Sequence, residues 1–180
     1  SLHALGSEVR KDIAEKFNRI YQKNLFKLPN AYIPDNVANI IGIDGKRKMS
    51  KTLGNIISIF EPEEVIKKQV MKTYTDPARL HATDPGHIEG NMVFTYLDYF
   101  GDSKKVAGLK EQYKQGKVSD VEVKEYLFAS LMSYFGSARK RYEELKNNPD
   151  MIKEILQKGV QRAREVAKKT LEDVRNTIGI

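Results

Sequence analysis

The spacing of apolar residues predicts a chain built mainly of amphipathic helices. From Glu8 onward, apolar side chains recur every three or four residues, the spacing that places them on one helix face. The six predicted helices begin near residues 8, 62, 92, 104, 119 and 148. The last of them carries the longest apolar stripe, from Ile152 to Ile178. The fold class predicted from this pattern is mostly α.

Residues typical of helix ends support two of these segments. Ser119 and Glu122 stand three apart, as in a capping box, and the apolar pattern behind them predicts one long helix to about residue 138. Asn148 suits the cap position of the last helix, and Pro149 suits its first turn. Both helices are therefore predicted with defined starts.

Two short apolar runs interrupt the helical pattern. Residues 37–43 and 56–60 are predicted to be short extended segments. Residues 44–55 between them are predicted to form a loop, because they include two glycines, two asparagine or aspartate residues and four basic residues. Residues 1–7 show no period and end in Gly-Ser, so they are interpreted as a leader outside the native chain.

Composition excludes several classes of site. The 180 residues include no cysteine, which excludes a disulfide framework, a thiolate metal site and a cysteine nucleophile. With three histidines a structural zinc site is not expected, and no metal site is predicted. No apolar run is long enough for a membrane span, and no secretory leader opens the sequence, so a cytoplasmic protein without a membrane partner is expected.

The net charge of +7 fits a polyanionic partner, and its distribution is uneven. Residues 44–51 carry four basic residues and one acid, and residues 137–180 carry eleven basic residues and seven acids. Residues 96–136 are balanced. The loop and the last quarter are therefore the segments in which a phosphate-bearing partner is expected to bind.

The loop contains Lys48-Met49-Ser50-Lys51-Thr52, two lysines three residues apart with two hydroxyl side chains. Ammonium groups are compact charges suited to phosphate oxygens, and hydroxyls can donate to the same oxygens. Glycines on both sides would let the backbone swing, so that the loop could close on a phosphate as charge develops. Taken alone, these five residues equally suit a solvated basic turn.

Residues 48–52 resemble the KMSKS signature of class I aminoacyl-tRNA synthetases, with Thr52 in place of the final serine. The flanking sequence is similar to that of tryptophanyl-tRNA synthetases, and the similarity runs from residue 8 to residue 180. The matching flanks are Glu8-x-x-Lys11-Asp12-Ile13-Ala14-x-x-Phe17-Asn18, Asp44-Gly45, Gly54-Asn55-x-Ile57, Thr75-Asp76-Pro77-x-Arg79, Asp84-Pro85-Gly86 through Asn91-x-Val93-Phe94, and Gly159-x-x-x-Ala163-Arg164 to Ile178-Gly179.

This resemblance implies the carboxyl-terminal half of an enzyme that activates tryptophan with ATP and transfers it to its tRNA. Residues 8–60 would be the tail of a Rossmann-like catalytic domain carrying the KMSKS loop, and residues 61–180 a helical anticodon-binding domain. The family's HIGH signature and tryptophan pocket would lie in the other half, so the chain alone is expected to be inactive. Mg²⁺ with ATP and a homodimer are expected for the intact enzyme.

The resemblance also implies roles for individual residues. Lys48 and Lys51 would be catalytic and would bind the ATP phosphates, with Lys51 at the leaving pyrophosphate. Met49 would pack near the adenine, and Ser50 and Thr52 would support the phosphates or the loop.

The helical domain of this family recognises the anticodon, which implies RNA contacts in the last quarter. The candidate tRNA-binding residues are Arg139, Arg141, Arg162 and Lys169. Tyr134 and Tyr142 could stack on unpaired bases, although Tyr134 lies on an apolar stripe typical of core residues. For any single basic residue, a solvated helix face with ion pairs explains its position equally well.

Three other interpretations remain open at this point. The chain could be a helical RNA-binding module whose loop is only a basic turn, a fragment of a tyrosyl-type synthetase, or a helical interaction protein with no RNA role. The flanking matches favour the tryptophan enzyme over all three.

Overall fold

A computed structural model describes residues 2–28 and 40–180, with side chains described from residue 10 onward in the first range. The fold is mostly α, as predicted. The helices of these ranges are α1 Leu2–Ile20, α2 Glu63–Met71, α3 Met92–Phe100, α4 Ser103–Lys114, α5 Asp120–Tyr134, α6 Gly136–Lys146 and α7 Pro149–Ile178.

The first helix begins earlier than predicted. It begins at Leu2 rather than at Glu8, so the segment interpreted as a leader is helical from residue 2. It ends at Ile20, ahead of a turn in which the side chain of Asn18 bonds both the backbone nitrogen (3.0 Å) and the carbonyl oxygen (2.8 Å) of Phe26. That pair of bonds satisfies both backbone polar groups of Phe26, which lies beyond the end of the helix.

Helix starts in the middle of the chain follow the capping residues. Ser119 and Glu122 form the predicted capping box at the start of α5. The long helix predicted from there is divided at Phe135, where α5 ends and α6 begins one residue later. Asn148 occupies the cap position of α7 but makes no side-chain cap bond, whereas Pro149 stands in the first turn as predicted.

The two predicted extended segments do not form strands in the described residues. Residues 37–39 lie outside the described ranges, and residues 40–60 contain one isolated antiparallel bridge, between Ile41 and Lys48. In the second segment, Ser58 donates its backbone N–H to the side chain of Gln69 on α2 at 2.7 Å. A helix side chain thus takes the bond that a neighbouring strand would need.

The chain divides into two compact units, residues 39–147 and residues 1–38 with 148–180. In the first unit α5 packs against α2, α3 and α6, and α3 packs against α4. The apolar core consists of Ile43, Ile66, Val70, Met92, Val93, Phe94, Tyr96, Leu97, Val106, Tyr113, Val118, Val123, Leu127 and Leu131. The domain boundary at residue 60 stays a prediction; in this unit the loop belongs with α2–α6.

Candidate functional site

The signature begins at the bridge residue Lys48 and continues into an exposed turn. Lys48, Lys51 and Thr52 are exposed, whereas Met49 and Ser50 are half-buried. The backbone N–H of Gly54 donates to the carbonyl of Lys51 at 3.1 Å, which closes the turn. The hydroxyls of Ser50 and Thr52 lie 3.0 Å apart and bond each other.

The side chain of Asn55 holds this turn in place by hydrogen bonds to its backbone. Its side chain is almost fully buried, and its Oδ1 accepts the backbone N–H of Ser50 at 2.8 Å. Its Nδ2 lies 3.3 Å from the carbonyl oxygen of Lys48, 3.4 Å from that of Arg47 and 3.1 Å from the Asp44 carboxylate. A buried amide that bonds both sides of a loop holds the loop in one shape, because each lost bond would leave a buried polar group unsatisfied.

Asp44 orders the first half of the loop. Its Oδ1 accepts the backbone N–H groups of Lys46 and Arg47, each at 3.1 Å, and its Oδ2 faces the Arg47 guanidinium at 3.2 Å. The two backbone hydrogen bonds are the main cause that lowers the pKa of Asp44 to about 2. The carboxylate is therefore ionised at neutral pH and partly neutralises the basic loop at Arg47.

Backbone hydrogen bonds attach the loop to residues 40–43. Met49 N–H donates to Ile40 (2.9 Å), Gly42 N–H to Arg47 (2.8 Å) and Ile43 N–H to Asn55 (2.9 Å). These three bonds run between the segment before the loop and the loop itself, so the ends of the loop are fixed while its tip stays exposed.

Gly45 is needed where it stands, because the loop turns there against Tyr74. Its φ is +68°, a conformation that glycine adopts without strain, and a Cβ at this position would lie 2.6 Å from the Tyr74 ring. The predicted hinge at Gly45 is thus a packed turn. Gly54 also has a positive φ, +66°, but a Cβ there would meet open space.

The loop combines two exposed ammonium groups with two hydroxyls on a rigid base. Such an arrangement can bind an anion with several oxygens, since the lysines contribute charge and the hydroxyls contribute donors. The described residues contain no group of three or more histidine, aspartate or glutamate side chains that could hold a metal ion. The ammonium and hydroxyl groups of the described loop are of the kinds that suit phosphate oxygens.

The four residues predicted to bind tRNA are distributed over two helices. On α6, the Arg139 guanidinium donates to the backbone carbonyls of Ile59 and Glu61, with 2.9 Å to the latter, and Arg141 lies 3.1 Å from Glu144. These two arginines hold contacts within the protein. Arg162 and Lys169 lie on α7, where both are exposed and neither belongs to the ion pairs found in the described residues.

The two candidate stacking residues are both on the surface. Tyr134 lies on an apolar stripe typical of core residues, but it is 60% exposed and forms T-shaped ring pairs with Phe100 and Phe135. Tyr142 is 40% exposed and stacks on Phe60 at 4.8 Å between ring centroids. Both tyrosines therefore lie beside aromatic neighbours and keep exposed ring surface.

Two residues of the site have no counterpart among the sequence-based candidates for function. Asn55 enters the sequence analysis only as part of a matching flank, and Tyr96 does not enter it. The hydroxyl of Tyr96, on α3, donates to the carbonyl of Ile41 at 2.6 Å. A single asparagine directly before the apolar run 56–57 was the one available signal for Asn55. Nothing in the local pattern marks Tyr96, since it lies 55 residues from its partner.

The sequence and the fold both match known proteins. The family model of class I tRNA synthetases (W and Y) matches residues 7–136. Tryptophan–tRNA ligases of Clostridium longisporum and Streptococcus mutans are 42% and 41% identical to this chain over 96% of its length. This chain spans about half of those relatives, 51% and 52% of their lengths.

A solved structure gives the same result for the fold. The crystal structure of tryptophanyl-tRNA synthetase from Campylobacter jejuni, complexed with ADP and tryptophan, matches with a TM-score of 0.81 and 34% identity over 97% of this chain and 53% of that one. The resemblance predicted from the signature and its flanks is thereby confirmed. Since the family model covers most of the sequence, the chain belongs to the class I tRNA synthetases (W and Y).

Proposed function

We propose that this chain is the carboxyl-terminal half of a tryptophan–tRNA ligase and supplies its ATP-phosphate loop and its helical domain. The observation that carries the proposal is the exposed pair Lys48 and Lys51 on a turn built over buried Asn55. The relatives that the chain matches are tryptophan–tRNA ligases, and the Campylobacter jejuni enzyme binds ADP and tryptophan. These names favour tryptophan over tyrosine as the amino acid.

In the activation step, a carboxylate oxygen of tryptophan attacks the α-phosphorus of ATP, and the bond from that phosphorus to the bridging oxygen of pyrophosphate breaks. Negative charge rises on the leaving pyrophosphate, and an ammonium group held beside it lowers the barrier. Lys51 takes this place and Lys48 binds the neighbouring phosphate oxygens. The hydroxyls of Ser50 and Thr52 would donate hydrogen bonds to the phosphates. Met49, half-buried against the apolar core, would support the loop on the adenine side. Mg²⁺ enters with ATP as part of the nucleotide substrate.

The other half of the ligase would hold tryptophan and the adenine, so that chemistry requires both halves. Holding reactants in line contributes about 7–11 kcal/mol of a barrier in favourable cases, and the isolated loop lacks that alignment. We infer that the 180-residue chain alone catalyses no tryptophan-dependent exchange. The intact ligase acts as a cytoplasmic homodimer in this proposal. No helix in the described ranges combines the length and apolar character of a membrane span.

The helical part of the chain would bind the tRNA of tryptophan. Arg162 and Lys169 are exposed cations on α7, and Tyr134 and Tyr142 present aromatic surface on the other compact unit. Arg139 and Arg141 already bond groups of the protein. In this proposal they would attract RNA by their charge and would form no new hydrogen bonds to it.

The direct test is ATP–pyrophosphate exchange by the intact ligase of which this chain forms half. Exchange that depends on tryptophan and not on tyrosine is the expected result, with none from the 180-residue chain alone. Exchange that depends on tyrosine would contradict the assignment of the amino acid. Activity of the 180-residue chain alone would contradict the division of labour between the two halves.

A further inference from the structure

One buried tyrosine connects the helical core to the signature loop. Tyr96 on α3 is 2% exposed, and its hydroxyl donates to the carbonyl of Ile41 at 2.6 Å. Burial, with the nearby charge of Asp44, raises the pKa of Tyr96 to about 12, so the hydroxyl keeps its proton at neutral pH. It is a permanent donor to this carbonyl.

Ile41 stands directly opposite Lys48. The two residues form the antiparallel bridge, and the hydrogen bonds on either side of it run from Met49 to Ile40 and from Gly42 to Arg47. In such a pair the carbonyl of Ile41 points away from Lys48. It accepts the hydrogen bond of the Tyr96 hydroxyl on that opposite side. One hydrogen bond from α3 therefore fixes the backbone segment beside the first lysine of the signature.

A second attachment stands one helical turn away on α3. The backbone N–H of Met92 donates to the carbonyl of Tyr74 at 3.2 Å, and the N–H of Tyr74 donates to Ile43 at 2.8 Å. Met92 and Tyr96 are four residues apart, so they lie on the same face of α3. Val93 and Leu97 of the same helix are fully buried, which makes α3 a firm support.

We propose that Tyr96 is a positioning residue that places Lys48 for ATP through the carbonyl of Ile41. The inference rests on the proposed function, because it assigns Lys48 to the phosphates. Displacements of about 1 Å at a catalytic group cost up to about a hundredfold in rate, so one hydrogen bond at the base of the loop can matter for catalysis. Tyr96 itself touches no reacting atom and acts only through the bridge.

The chain offers a matched control for the variant Tyr96→Phe. Tyr113 is also fully buried, and its hydroxyl donates to Asp120 at 2.7 Å, away from the loop residues 44–55. Tyr113→Phe removes the same atom from the same kind of site. Both variants keep the ring, so neither opens a large cavity.

The first measurement uses this 180-residue chain and follows amide hydrogen exchange. Tyr96→Phe is expected to raise exchange at Met49 and Gly42 about five- to tenfold, while Tyr113→Phe leaves those amides within twofold of wild type. Equal exchange at Met49 and Gly42 in both variants would overturn the mechanical link. This measurement needs no catalytic activity.

The second measurement uses the intact ligase and its ATP–pyrophosphate exchange. Tyr96→Phe is expected to lower kcat about five- to tenfold with the KM for tryptophan within twofold, and Tyr113→Phe is expected to leave both within twofold. In a double-mutant cycle, Tyr96→Phe should have little effect once Lys48→Ala is present, because both changes then act on one group. Multiplicative effects would overturn the role of Tyr96. A wild-type ligase without tryptophan-dependent exchange would instead overturn the proposed function, whatever the hydrogen exchange shows.

Discussion

The two regions predicted to meet anions, the signature loop at residues 48–52 and helix α7, present their cations in opposite ways. In the loop, Lys48 and Lys51 are exposed, but buried Asn55 fixes the backbone that carries them. In α7 no residue is buried, and cations such as Arg162 project from a regular helix. An internal network below an exposed charge indicates a shaped site, whereas exposed charges on a helix indicate a surface whose affinity depends on salt.

Removing Lys51 is expected to have the largest effect of any change in either region. In the intact ligase, Lys51→Ala should slow tryptophan activation about 10²–10³-fold, the loss typical of one group that stabilises transition-state charge, with tryptophan binding unchanged. Pre-steady-state activation kinetics would measure the rate, and equilibrium titration would measure tryptophan affinity. Lys46→Ala is the control, since it removes a lysine of the same loop outside the signature. An unchanged activation rate in Lys51→Ala would remove the phosphate role.

The internal network of the loop can be broken at Asn55. Asn55→Ala leaves the backbone N–H of Ser50 and the carbonyl of Lys48 without their partner, which costs about 1–3 kcal/mol where such groups are buried. Faster amide exchange at Ser50 would report the local loss of these bonds. A lower free energy of unfolding in urea would report any loss of stability of the whole chain. Thr52→Ala serves as the control, because Thr52 is exposed and the hydrogen bond of its hydroxyl in the described residues is to the Ser50 hydroxyl. If both variants change amide exchange and stability equally, Asn55 does not fix the loop, and the loop is no more ordered internally than a simple basic surface.

For α7, the informative change is a reversal of charge. Arg162→Glu with Lys169→Glu should weaken binding of an anticodon stem-loop of the tryptophan tRNA and flatten its salt dependence, by about 0.7 in the log–log slope for each lost phosphate contact. Lys110→Glu with Lys114→Glu on α4 changes the net charge equally, and both lysines already pair with acids. Equal flattening by the two double variants would reduce α7 to one part of a nonspecific basic surface. A salt titration of the wild-type chain that detects no binding even at low salt would contradict the RNA role of this chain.

The smallest expected effect concerns pH at the base of the loop. The folded-state pKa of Asp44, about 2, lies below its ordinary value of 3.8, so the carboxylate stabilises the loop above about pH 4. That contribution is lost as the pH falls from about 4 through 2. NMR should show the amide resonances of Lys46 and Arg47 shifting across this interval in wild type. The same resonances in Asp44→Asn should stay constant there; a matching shift in the variant would mean that another acid titrates.

The accuracy of the sequence-based helix predictions depended on how local each signal was. The capping box at Ser119 and the turn residue Pro149 were found correctly, because a cap involves residues three or four apart. The prediction of one helix through residue 138 was wrong, because the chain is interrupted at Phe135. Apolar spacing alone does not distinguish one helix from two helices that share an apolar stripe. The extended segment predicted at residues 56–60 forms no strand for a related reason. An extended segment becomes a strand only beside a partner, and Ser58 bonds Gln69 of α2 instead.

The sequence by itself determined the helical character of the chain, the exposed signature at residues 48–52 and the family, because each depends on residues close together or on their order. Only the tertiary structure decided that Asn55 and Tyr96 hold the signature in place and that Arg139 bonds the carbonyls of Ile59 and Glu61. It also decided that Tyr134, on an apolar stripe, is exposed. Asn55 bonds residues 5 to 11 positions away, which only the folded turn brings within reach. For Tyr96, Arg139 and Tyr134 the physical reason is the packing of distant elements. A hydrogen bond between residues 55 or 80 positions apart, or the covering of a ring by another helix, depends on how the elements pack, and no local pattern of residues records that packing.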